Sequence, residues 1–377
     1  MKGPSVFRQT SPLAIASVRR ENQPTPRGTS PGRDQGGALA ATTPVRQVRT
    51  ERQRSVFVLP LVITAFLAVM LAWMGLGQFL NAITLGAVYA LIALGYTMVY
   101  GIIELINFAH GDVFMVSTFV TMFVSSTILG QKDAIYGLPQ LILSLIIVFV
   151  LTVGIMAVVG AVIERVAYRP LRRAPKLAPL ITAIGVSFIL QNIIQFFVGP
   201  YTYNVPQIFP RDWVIMIGET RLLLLNVFVV AVAITLIVAL QLFTSRTRIG
   251  KAMRTTAMDR DASSLMGVNI DRTIMITFLI GSGLAGAAGM VHGLYYGNTN
   301  FQIGFQSGLK AFTAAVMGGI GNTAGAALGG FIIAFVEVGA VVLGFSRWGG
   351  AVVFALLVVF LVFRPTGLLG SHTGDRA

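Results

Sequence analysis

Apolar residues run along this chain in long uninterrupted blocks, and polar residues gather in the short gaps between them. The blocks fall at roughly 80–103, 112–130, 139–163, 177–198, 221–243, 273–297, 311–344 and 348–363, with another over Val56–Phe79 before them. A helix needs about 20 apolar residues to cross a bilayer. Lipid offers no partner to an unpaired backbone N–H or C=O, so each block predicts a helix rather than a loop or an open strand. The expected fold is all-α, a polytopic helical membrane protein of eight to ten spans. Stretch 311–344 sets the spread in that number. It is too long for one straight helix and carries Gly318, Gly319, Gly321, Gly325, Gly329 and Gly330. Either it crosses twice, or 311–323 is a re-entrant half-helix before a single crossing. Gly281, Gly283, Gly286 and Gly289 in the block before it suit close helix approach in lipid.

Composition agrees with the pattern: 55% of residues are apolar and only 11% charged, against about 25% charged in a soluble protein. The segment 1–54 differs. It is rich in Pro, Arg, Ser, Thr and Gly and reads as a disordered basic tail; Met70 offers an alternative start that would omit it. Residues 55–370 form the expected membrane domain and 371–377 a C-terminal tail. Val56–Phe79 follows a basic cluster as a signal peptide would, but lacks a convincing small-residue cleavage site, so it is read as an uncleaved first span.

The net charge of +14 raises a nucleic-acid reading that its distribution opposes. Ten of the 28 basic residues precede position 55, and most of the rest sit in two loops. Loop 164–176 holds Arg165, Arg169, Arg172, Arg173 and Lys176 against Glu164; loop 244–272 holds Arg246, Arg248, Lys251, Arg254, Arg260 and Arg272. Between them, loop 199–220 has one Arg and two acids. Basic loops are retained in the cytoplasm, which places 164–176, 244–272 and the N-terminal tail there. Arg364 suggests the same side for the C-terminus.

Polar groups inside apolar blocks are costly and therefore informative. Glu104, Asn107, His110 and Asp112, with Gly111 between the last two, interrupt an apolar stretch of about fifty residues. They form either a surface turn between two spans or the end of a half-helix beside a translocation pathway, as in transporters with broken helices. His110 beside Asp112 admits a proton relay or a bracing hydrogen bond. Gln191 and Gln195 share one helical face near Asn192, which suits interhelical hydrogen bonding or substrate contact. Loop 244–272 contains Arg260, Asp261, Ala262 and Ser263, then Leu265, Met266 and Gly267, a short partly apolar helix that reads as a solvated connector or a docking element.

Other chemistries find little support. There is no cysteine and there are only three histidines, so neither thiol catalysis nor a His-rich metal site is expected. No G-x-x-x-x-G-K-[ST], HExxH or GxSxG occurs; near Gly250-Lys251 the first glycine is replaced by Ser245 and Ala252 follows the lysine. No catalytic residue, metal ligand or cofactor is assigned to this chain, and any ATP energy must come from another subunit.

Five stretches resemble the membrane permeases of bacterial ABC importers for branched-chain amino acids, the H-type subunit of the leucine–isoleucine–valine system. They are ALIALGYTMVYGIIELINFAHGDVFMVS (90–117), ERVAYRPLRRAPKLAPLITAIGVSFILQN (164–192), TRIGKAMRTTAMDRDASSLMGVNIDR (247–272), GLKAFTAAVMGGIGNTAGAALGG (308–330) and FRPTGLLG (363–370). Together they cover about 73–370 in the family's order. The resemblance implies the ABC importer permease fold and a bacterial inner-membrane location. It implies a second related permease, two cytoplasmic ATPases that bind the ATP, and a periplasmic or lipid-anchored amino-acid-binding protein. The family's INFAHGE element stands here as Ile106 to Asp112, with Asp112 for the usual Glu; Glu104 stands where the family more often has a small residue. The segment Arg260–Gly267 resembles the coupling loop whose short helix docks into an ATPase cleft. Two other classes remain to be weighed: an importer of the same build for urea, amides or other amino acids, and a secondary transporter driven by protons through Glu104, His110 and Asp112.

Overall fold

The computed structural model describes residues 64–370 apart from Arg173 and Lys176. The expected disordered tail 1–54, the start of the first span at Val56 and the C-terminal tail 371–377 lie outside the described residues. Within them, the apolar blocks form helices: α1 (Thr64–Met74), α2 (Leu76–Ile103), α3 (His110–Phe123), α4 (Leu138–Ile163), α5 (Leu177–Phe197), α6 (Leu224–Arg246), α7 (Arg248–Met258), α8 (Arg260–Leu265), α9 (Ile270–Tyr296), α10 (Ile303–Gly318), α11 (Thr323–Val342) and α12 (Gly349–Phe363). Among the described residues, eight helical stretches are long and apolar enough to cross a membrane. α3 continues through a π-helical turn, Val124–Ile128, and α4 through another, Glu164–Tyr168.

Helix starts are set by side chains that accept the first free N–H groups. Thr247 accepts from Gly250, Asp259 from Ala262, Asn269 from Arg272 and Asn322 from Gly325. These caps fall in the polar gaps, which is why the gaps marked element boundaries. One boundary moves: the expected break between the first two apolar blocks near 79 stands at Gly75, which lies outside both helices with φ 76°.

α2 and α9 are the most enclosed spans, and α5, α6 and α12 the least. Small residues let the enclosed helices touch backbone to backbone. A Cβ on Gly281 would lie 3.2 Å from the carbonyl oxygen of Gly95, and one on Gly330 would lie 2.6 Å from the Cα of Ala90. On the outer helices, Ile181, Phe188, Phe196, Val358 and Phe363 are exposed, as a lipid-facing surface requires.

The basic loops share one face. There Asp271, at the start of α9, pairs with Arg169 at 2.6 Å and with Arg172, which also pairs with the fully buried Glu164. The opposite face carries four short strands among the described residues, which the expected all-α fold did not include. β2 (Val214–Ile217) and β3 (Thr220–Leu223) form a hairpin, and β1 (Tyr203–Asn204) pairs antiparallel with β4 (Asn298–Thr299). Segments of two to four residues are too short to display the alternation that identifies a strand in sequence.

Stretch 311–344 is neither one straight helix nor re-entrant: β4 before it lies on the strand face and the end of α10 meets the end of α2 on the basic face, so the chain passes between the faces through a short helix shifted in register. α10 begins at Ile303 rather than 311 and has 16 residues, which gives it a length of about 24 Å, short of the bilayer core. The chain turns at Gly319–Asn322, where the Gly321 backbone lies against Gly101 near the end of α2, and then crosses as α11. The C-terminal stretch closes this end. Leu368 N donates to Met317 O at 2.9 Å, Leu369 N to Gly318 O at 3.0 Å, and Asn322 Nδ2 to Leu369 O at 2.8 Å. The FRPTGLLG stretch thereby satisfies carbonyls that the end of α10 leaves free.

Candidate functional site

α2 ends on the basic face, but α3 does not start there. The His110 ring packs edge-on against Tyr96, with centroids 4.7 Å apart, and fills the space where a Cβ of Gly95 would lie. Gly95 and Tyr96 stand about two helical turns before the end of α2. The chain therefore doubles back over 104–109 into the protein interior before α3 begins. Of the two readings of Glu104–Asp112, this is the broken-helix one: a re-entrant stretch leading to a helix N-terminus inside the membrane domain.

Glu104 separates from the rest of the set. It ends α2 in the left-handed conformation, φ 57°, the only non-glycine with positive φ among the described residues. Its side chain is exposed on the basic face. Such a backbone costs a side-chain-bearing residue about 1–2 kcal/mol, and it is what turns the chain back toward the interior. Asn107, His110 and Asp112 are all buried. Tyr168 reaches the re-entrant stretch from the π-helical turn after α4 and donates to Asn107 Oδ1 at 3.0 Å.

Asp112 sits in the first turn of α3, where the positive end of the helix dipole favours a carboxylate. It accepts from Ser187 Oγ, and from Gln191 Nε2 at 3.0 Å. Ser187 and Gln191 are one turn apart, so one face of α5 supplies both donors. Ser187 stands at the middle of α5, which sets Asp112 level with the middle of that span. Among the described residues no hydrogen bond joins His110 to Asp112, neither a relay nor a brace; the carboxylate is held from α5 instead. Asn192 turns away and donates to Phe188 O on its own helix at 2.7 Å.

Gly111 explains how α3 and α10 meet. A Cβ there would fall 2.9 Å from the Cα of Gly308 and would also collide with the carbonyl oxygen of Gly304. A Cβ on Gly304 would fall 2.6 Å from Asp112 Oδ1. Two helices that both begin within the helical domain therefore touch backbone to backbone at the buried acid. Below them, toward the basic face, Tyr96, Thr97, Tyr100, Asn107 and Phe312 line a narrow cleft.

The residues of the basic-face loop divide by direction. Leu265 and Met266 are 88% and 85% exposed, Asp261 and Ala262 are exposed, and Gly267 turns the chain with φ 82°. Ser263 is buried, and Arg260 points inward, donating to Ile102 O and Ile103 O at 3.1 and 2.7 Å.

Sequence reasoning missed four participants. Ser187 and Tyr168 carry no signal of their own, because their partners are distant in sequence. Lys310 and Glu337 do carry one, each being an isolated charge in an apolar stretch. They pair at 2.5 Å, and Tyr89 OH donates to Glu337 Oε2 at 2.8 Å.

Residues 78–361 match the family described as branched-chain amino acid transport system, permease component. The chain is 42% identical over 307 residues to the high-affinity branched-chain amino acid transport system permease protein BraD of Pseudomonas aeruginosa, covering 80% of this chain and 97% of BraD. It is 40% identical over 304 residues to LivH of Escherichia coli, which has the same description, again covering 80% and 97%. The xylose/arabinose import permease protein XylH of Sulfolobus acidocaldarius is 26% identical over 254 residues, covering 63% of this chain and 66% of XylH. No solved structure matches.

Proposed function

From the premise that this chain belongs to the permease family of branched-chain amino acid transport systems, we propose that it forms half of the membrane pathway of an ATP-driven importer of leucine, isoleucine and valine. The chain is a transporter subunit, not an enzyme, and the transport system supplies an ATPase and a solute-binding protein as partners. In the finer reading there are two ATPase subunits at the cytoplasmic face, a second related permease beside this one, and a periplasmic or lipid-anchored binding protein. The location is the bacterial cytoplasmic membrane, with the basic face inward.

The observation that carries the site is Asp112 at the meeting of α3 and α10. A carboxylate level with the middle of α5, held by Ser187 and Gln191 and flanked by two short helices, has the form of a gate or solute station. Asn107, His110 and Gly111 line or pack this junction, and Glu104 sets the turn that leads into it. Arg260, Asp261, Ala262, Ser263, Leu265, Met266 and Gly267 are the coupling segment. Leu265 and Met266 supply the apolar surface that seats in an ATPase cleft. XylH is described as a sugar permease, and its likeness supports a scaffold compatible with other solutes.

Purification from detergent-solubilised native membranes tests the assembly. Co-purification of a cytoplasmic ATPase and a second permease, with leucine uptake in proteoliposomes, is the expected result. Recovery of this chain alone, under conditions that preserve a known ABC complex, would favour the proton-driven alternative.

A further inference from the structure

Lys310 of α10 and Glu337 of α11 form an ion pair inside the membrane domain, with side chains 19% and 18% exposed. Tyr89 lies at the middle of α2 and Glu337 in the last third of α11, while Lys310 stands midway along α10, two residues past Gly308. Tyr89 OH donates to Glu337 Oε2, and Lys310 Nζ lies 3.3 Å from the same hydroxyl. Charges at this depth do not face lipid; they mark a wet path or a polar interface.

Polar side chains also stand at the outer end of α2. Gln78, Asn81 and Tyr89 lie three and eleven residues from the first, which puts them on one helical face. Gln78 and Asn81 are exposed, and Tyr295 OH of α9 donates to Asn81 Oδ1 at 3.4 Å. The mechanism built on Asp112 uses none of these residues.

We infer that Lys310 and Glu337 form a second station for a zwitterionic amino acid, an assignment that rests on the branched-chain reading above. An α-amino acid carries a carboxylate and an ammonium a few ångströms apart, about as close as the two charges of the pair. The solute carboxylate takes Lys310 while its ammonium takes Glu337. One ion pair is exchanged for two, so neither buried charge is left uncompensated at any stage, which would be the costly outcome. Tyr89 holds Glu337 in place throughout. A site that is already self-paired holds its guest weakly, as passage requires.

The test uses the complete importer in proteoliposomes. Wild-type leucine uptake reads the branched-chain assignment separately. Lys310→Met combined with Glu337→Gln removes both charges, so a pair that only braces the fold leaves transport intact. The expected result is an assembled complex with ATP hydrolysis retained and leucine uptake lowered about tenfold or more; uptake at the wild-type level would overturn the inference. A second measurement needs no variant. A water-soluble amine-acylating reagent is applied to the wild-type complex, with exposed Lys132 as the internal control. Acylation of Lys310, slowed by leucine-loaded binding protein, supports the station. Lys310 left unmodified in both nucleotide-free and nucleotide-trapped states, while Lys132 reacts, would overturn it.

Discussion

Arg260, the first residue of α8, donates to the carbonyl oxygen of Ile103, the last residue of α2, at 2.7 Å. That carbonyl and its neighbour on Ile102 are among those a helix end leaves free, and a cation there also meets the negative end of the helix dipole. The bond ties the exposed segment Arg260–Gly267 to the helix whose end turns back toward His110 and Asp112. Arg260→Gln is expected to cost about 1–3 kcal/mol at this junction. ATP hydrolysis continues while uptake falls, and the ratio of leucine transported to ATP hydrolysed in proteoliposomes measures it. An unchanged ratio would count against a transmitting role.

Gly267 closes α8 with φ 82° and has nothing within 4 Å of where a Cβ would stand. Gly267→Val therefore meets no collision and costs about 1–2 kcal/mol of backbone strain, confined to this turn. The variant is expected to insert normally yet uncouple ATP hydrolysis from uptake. Normal transport by an inserted variant would remove the coupling assignment.

The two acids of the re-entrant stretch should differ sharply. Asp112→Asn keeps the shape but removes the charge that Ser187 and Gln191 are arranged to meet. Each of those bonds is worth about 1.5–3 kcal/mol with a charged acceptor and less with a neutral one. Glu104→Gln alters an exposed side chain and leaves the backbone turn intact. Uptake should fall much further in the first variant; equal losses would show that the buried acid holds no special place.

Gly111→Ala drives a methyl group into the Gly304 carbonyl and the Gly308 Cα. Separating the two helices should cost about 1–3 kcal/mol, read as a lower thermal midpoint of the purified complex. Gly154→Ala, at a position with nothing within 4 Å of the added carbon, serves as the control and should leave the midpoint unchanged.

The spans were legible in the sequence because lipid demands long apolar helices and little else. The polar set from Glu104 to Asp112 was legible because each member is expensive in that setting; an interhelical bond for Gln191 is one of two readings its spacing allows, and that spacing does not name Asp112 as the partner. Whether the set forms a surface turn or a broken helix was not legible. That depends on how far the chain doubles back against Tyr96, a contact no local pattern encodes. α10 begins eight residues earlier than hydropathy suggests, because Gln306, Ser307 and Lys310 make its first turns look like a loop. Their polarity is tolerable because α2, α3 and α11 surround them.

The seam of Gly111, Gly304 and Gly308 has a mechanical consequence. With no side chains between them, α3 and α10 meet backbone to backbone at the buried acid, so their separation there is fixed by the main chain itself. Lys310 lies two residues beyond Gly308, and Asp112 lies next to Gly111. A solute seated at Lys310 would thus stand beside the seam, with the buried acid across it and only backbone between the two helices there.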